Sequence, residues 1–209
     1  MTKRTIELRR KRAEWRPAAT PPGARGEMFT RASTVRSTLA FLGQTAPEVV
    51  GDVLAALAPA DHKLVRSAGD TDEIPYRIAL AVWRAADGSI GQSDPTWIER
   101  SGAWAIEQSG MRLYSGLIKK PSPHDFLTQQ ISLFHLYYRP GDMVVVDQGP
   151  KRAVMRLVGF EPADTLFCRR LTGGWLAALR ITGGKDVIAA HDRCTMEGDA
   201  FCEWELRWR

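Results

Sequence analysis

The chain has 209 residues, of which 44% are hydrophobic and 25% charged, with three cysteines and a formal net charge of +5. That is enough apolar material for a substantial core, yet no run approaches the roughly eighteen apolar residues of a membrane span. The opening MTKRTIELRRKR lacks the apolar stretch of a secretory signal, so a cytoplasmic location is expected, where a cysteine cluster favours metal over disulfides.

The positive charge is concentrated at the start. Residues 1–26 carry eight Lys or Arg against Glu7 and Glu14, a net of +6, which leaves −1 for residues 27–209. Pro17, Pro21, Pro22, Gly23 and Gly26 follow the basic run, so the segment reads as a flexible tail, with a short helix over Thr5–Trp15 as an option. Such a tail can contact nucleic acid, an anionic membrane surface or an acidic protein, and its composition fits a solvated tail with no dedicated partner equally well. Residues 27–209 are expected to form a single domain.

From Glu27 the apolar spacing is helical for a long way. Ser33 or Thr34 could cap a helix holding Val35, Leu39, Phe41 and Leu42; Pro47 opens another through Val53 and Leu57, which Pro59 ends. Pro75 opens a helix that stops at the Asp87-Gly88 turn, and Pro95 opens a longer one closed by Pro121 and Pro123. Phe126 to Tyr138 forms one more. After Pro140-Gly141 the period changes: strands are expected over Met143–Val146 and Val154–Phe160, with a turn at Gln148–Lys151. Asp164 then caps a helix running to the Gly183-Gly184 pair, and strands over Val187–Ala190 and Phe201–Trp208 complete the sheet. In the last strand Cys202, Trp204, Leu206 and Trp208 alternate with charged residues. The expected fold is α+β, a helical N-terminal part packed on a late, mostly antiparallel sheet with one helix crossing between two hairpins.

Enzyme signatures fail. The chain contains no GxSxG, HExxH or dinucleotide GxGxxG, and Thr182-Gly-Gly-Lys-Asp186 lacks the upstream glycine and following hydroxyl of a phosphate loop. The chain is therefore expected not to be an enzyme. Cys168, His191, Cys194 and Cys202 carry the sharpest chemistry, spaced C-x22-H-x2-C-x7-C. Three thiolates and an imidazole are a full tetrahedral set for zinc, leaving no open position for a water nucleophile. Buried core cysteines fit the same residues, as do a disulfide or a reactive thiol. The loop Thr195–Phe201 contains a Gly-Asp able to return Cys202 beside Cys194.

This C-terminal arrangement resembles the V4R (4-vinyl reductase) domain over roughly residues 100–209. Cys168, Cys194 and Cys202 fall on that family's three cysteine ligands and Gly173 on its frequent glycine, while His191 replaces its acidic ligand. The chain is also similar to a family of uncharacterised myxobacterial proteins of about this length. The resemblance implies a structural zinc and a pocket for a hydrophobic ligand between helices and sheet, placed here around Trp104, Phe134 and Trp175. Function is then expected to be ligand sensing or regulation through a protein partner or homodimer. The alternative is an interaction or scaffold subunit with a closed pocket. A pocket of about 300 Å³ or more would favour sensing, and an exposed apolar patch would favour scaffolding.

Overall fold

The computed structural model describes residues 27–128 and 130–209; the basic tail and its suggested helix lie outside the described residues. The chain enters through a three-residue strand, β1 (Phe29–Arg31), that sequence periodicity did not reveal. It pairs antiparallel with β2 (Glu73–Pro75) and β3 (Tyr138–Arg139). Strands of two and three residues are too short to display a period, so only long-range pairing defines them. The Thr30 hydroxyl donates to the Tyr137 carbonyl at 3.0 Å, and the Arg31 side chain donates to the Leu136 carbonyl at 2.8 Å.

Helix α1 (Ala32–Thr45) follows directly. It starts before the expected Ser33 or Thr34 cap because tertiary acceptors satisfy its first amides: Ala32 donates to the Asp72 carbonyl at 2.9 Å and Ser33 to that of Asp70 at 3.0 Å. After a 3₁₀ turn at Pro47–Val49 come α2 (Val50–Ala55) and α3 (Pro59–Ser67). Pro59 therefore begins a helix instead of ending one, at the first position where its missing N–H costs nothing.

Helix α4 (Tyr76–Ile90) runs straight through the expected Asp87-Gly88 turn. Asp87 is occupied by tertiary structure, its carboxylate accepting from the Trp97 indole at 2.8 Å. The long helix expected after Pro95 is α5 (Trp97–Ala105), a π-helical turn at Ile106–Gly110, and α6 (Met111–Ile118). The single helix expected over Phe126–Tyr138 is instead two: α7 (Pro123–Leu127), capped by the Ser122 hydroxyl accepting from the Asp125 amide, and α8 (Gln130–Tyr137).

The second half follows the sequence reading closely. A four-stranded sheet in the order β4-β5-β7-β6 is antiparallel throughout, from β4 (Asp142–Gly149), β5 (Arg152–Val158), β6 (Ile188–Arg193) and β7 (Glu203–Arg207). Between its two hairpins runs α9 (Thr165–Ile181), whose N-cap Asp164 accepts from the Leu166 amide at 3.0 Å. The reversal after it uses Gly183 at φ +88°.

The contact that sets the position of α9 is made without side chains. A Cβ on Gly102 of α5 would stand 1.9 Å from the Arg170 carbonyl oxygen, and a Cβ on Gly173 of α9 would stand 1.8 Å from that of Glu99. The two backbones thus touch reciprocally, and Arg169 closes the edge through paired bonds of 2.7 and 2.9 Å to the Glu99 carboxylate. Overpacking usually costs about 1–3 kcal/mol, and here rigid backbone must yield. Gly102→Ala and Gly173→Ala should each lose about 3 kcal/mol or more in denaturant unfolding. Gly43→Ala, where a Cβ meets nothing within 4 Å on an exposed helix face, should be neutral or stabilising by up to about 1 kcal/mol. Equal effects at all three positions would contradict the close crossing.

Candidate functional site

Two groups of residues on α9 carry chemistry. Cys168 and Thr172, one turn apart, face the sheet; Thr172 accepts from the Trp204 indole of β7 at 2.9 Å. His191 lies on β6 opposite Trp204, and its ring stacks on that indole at 4.5 Å between centroids. The register of β6 against β7 shifts immediately after His191, the irregularity that lets the strand turn toward Cys194. The following loop forms a 3₁₀ turn at Thr195–Glu197, with Gly198 left-handed at φ +93°. Cys194 donates its amide to the Asp199 carboxylate at 2.9 Å, and Cys202 returns beside it as the hairpin closes.

All four predicted donors meet. One ligand atom each from Cys168, His191, Cys194 and Cys202 lies within 4.8 Å of every other, and the three cysteines are buried. The Cys168 and Cys202 sulfurs stand 3.6 Å apart, close to the edge of about 3.8 Å that metal–sulfur bonds of about 2.3 Å give a tetrahedron. The Cys168 thiol and the His191 and Thr195 donors hold the Cys202 pKa down, to about 4. The bond to Cys202 and burial push the Cys168 thiol up, while burial raises that of Cys194. Beneath it Arg156 and Glu203, both fully buried, pair at 2.6 and 2.9 Å, and the guanidinium lies 3.7 Å from the Phe201 ring centroid.

The other side of α9 borders a cavity of about 70 Å³. Arg170, Leu171, Gly174, Trp175 and Ala178 form its α9 wall, opposed by Thr34 and Ser37 of α1, residues of α5 and the π turn, Phe126, and Leu133, Phe134 and Tyr137 of α8. Phe134 and Trp175 both line this cavity. Trp104 packs edge-on against Phe41 at 6.5 Å and is not part of the cavity lining. Sequence reading passed over Arg170 and Ser37. Arg170 carried a usable signal, a charged residue inside the apolar spacing of Phe167, Leu171 and Trp175.

No family model matches the sequence, and no curated protein does. Solved structures do match. A mutant H-NOX protein from S. oneidensis in the Fe(II) ligation state is 12% identical, with TM-score 0.68 over 86% of this chain and 96% of that one. An oxygen-binding H-NOX domain related to soluble guanylate cyclases is 11% identical, with TM-score 0.60 over 86% and 95%. A third structure, concerned with heme distortion in the H-NOX family, is 10% identical, with TM-score 0.61 over 86% and 95%. This chain has the H-NOX fold.

That finding corrects the V4R resemblance. The likeness to H-NOX structures extends through most of the chain, including the N-terminal helices, whereas the V4R reading rested on the α9 helix, the last hairpin and their cysteines. The structural zinc read from the cysteine and histidine spacing and from that resemblance is withdrawn with it, since solved structures of this fold are described with Fe(II) and heme. Among the described residues, no helix is long and apolar enough to cross a membrane.

Proposed function

We propose that this chain is a non-catalytic, cytoplasmic ligand-sensing module that binds a small, largely apolar molecule in the cavity beside α9 and passes its state to a protein partner. The observation that carries this reading is the wall of the cavity: aromatic and aliphatic side chains from four separate helices enclose it, with a few buried polar groups among them, the usual make-up of a small-molecule site. Solved proteins of the same fold include an oxygen-binding domain, which agrees with an interior binding site.

Iron porphyrin does not suit this interior. Among the described residues no His, Cys or Met lines the cavity, and the histidine of the adjoining helix, His135, is half exposed and faces Asp142 at 3.2 Å. The phenols that do line it, Tyr137 and Tyr138, have their pKa values pushed up by burial, the opposite of what a tyrosinate ligand needs. The lack of an axial donor on its described wall, with free space of about 70 Å³, favours a compact molecule over a porphyrin.

The same volume favours the scaffold alternative, a closed pocket. Against that alternative, the large hydrophobics left exposed among the described residues are only Ile188 and Met196, which do not make an apolar docking face. Butanol and benzyl alcohol should raise the unfolding temperature of the full chain through preferential binding to the folded state. Ala178→Leu, which fills the cavity from α9, should abolish that shift while preserving the fold. An equal shift in the variant, or none in either protein, would contradict an interior binding site.

The four-donor cluster belongs to the same reading as a structural element. We propose that Cys168, His191, Cys194 and Cys202 ligate a soft or borderline metal ion, joining α9 to the β6–β7 hairpin at the cavity's back wall. Elemental analysis of reduced protein should find about one such ion per chain, absent from Cys194→Ser. A metal-free wild-type protein of undiminished stability would leave the cysteines as core residues.

A further inference from the structure

Arg170 is buried on the wall of the cavity, 6% exposed, and among the described residues no carboxylate pairs with it. Its Nη2 donates to the Ser37 hydroxyl at 3.1 Å and reaches the Thr34 carbonyl at 3.4 Å, and its guanidinium carbon lies 5.6 Å from the Trp83 ring centroid. Its Nη1 has no partner. Nor does the indole nitrogen of Trp175 or the hydroxyl of Tyr137, and all three residues line the same cavity.

A buried cation without a counter-ion is among the most costly arrangements a fold can keep, and an unmet buried donor is costly in its own right. The other buried guanidinium among the described residues shows the ordinary solution, since Arg156 is met by Glu203 at 2.6 Å. Here the protein supplies a charged donor, two neutral donors and an apolar wall, and lacks an anionic acceptor. Burial also draws the Arg170 pKa down, although a guanidinium remains charged at neutral pH.

We infer that the cavity takes a compact monocarboxylate, its carboxylate accepting from Arg170 and its short apolar or aromatic body lying against Phe126, Leu133, Phe134 and Trp175. Tyr137 and Trp175 supply further donors along the same wall. This rests on the interior-site reading above and adds the charge of the ligand to it.

The test compares matched pairs, butyrate with butanol and benzoate with benzyl alcohol, by calorimetric titration of the full chain. The carboxylate of at least one pair should bind about tenfold or more tightly than its alcohol, the advantage expected of a charge-assisted hydrogen bond. Arg170→Met, which keeps the length of the side chain and removes its charge, should erase the preference while still binding the alcohol. The variant should also unfold at a higher temperature than ligand-free wild type, since it relieves an unpaired buried charge. Equal binding of acid and alcohol would overturn the anionic assignment and leave the interior site standing. Binding of neither would overturn both.

Discussion

The fold turns on a contact between two backbones. Where α5 meets α9, Gly102 and Gly173 remove the side chains that would hold the helices at ordinary separation, and each carbonyl occupies the space of a missing Cβ. The distance between these helices therefore tolerates little adjustment, and it fixes the rotation of α9 about its axis. Cys168 and Thr172 are turned to the sheet as a result, and Arg170, Trp175 and Ala178 to the cavity. One helix serves two sites because a pair of glycines holds it still.

The two sites differ in how their polar groups are satisfied. Around the cysteine cluster most polar groups have protein partners, Arg156 with Glu203, Cys194 with Asp199 and Cys202 with the Thr195 amide at 3.4 Å, and the buried His191 Nε2 is the one left unmet. The cavity is open in the opposite sense. Arg170, Tyr137 and Trp175 keep donors without acceptors, inside walls that exclude a protein carboxylate. A polar network complete in itself stabilises the fold, and an incomplete one carries a cost that a bound molecule can offset. That contrast separates the structural part of the molecule from the part that responds to a ligand.

Much of the C-terminal half was legible in the sequence because its signals are local. Asp164 before an apolar helix, the Gly183-Gly184 stop and the alternation from Cys202 to Trp208 each specify structure within a few residues, and the spacing of His191, Cys194 and Cys202 anticipates their meeting. The N-terminal half was less legible because its decisive partners are remote. Two carbonyls near residue 70 cap α1, and Trp97 occupies Asp87 and carries α4 through an apparent turn. The edge strands are too short to show a period. The cavity followed the same rule: Phe134 and Trp175 were visible as aromatics on helices and line it, whereas Trp104, on the same kind of evidence, packs against Phe41 instead. The V4R resemblance failed for a related reason, since a helix, a hairpin and three cysteines are a local arrangement that does not specify the helices packed in front of it.

We propose that the H-NOX fold of this chain holds a compact ligand and not iron porphyrin. Titration of the purified full chain with hemin, followed by visible absorption, addresses it directly. No stoichiometric binding and no shift of the porphyrin band to that of ligated iron is expected, because among the described residues no His, Cys or Met lines the cavity. One-to-one binding with a ligated spectrum, lost when Ala178 is replaced by Leu, would show that the interior opens to admit the cofactor and would contradict the account.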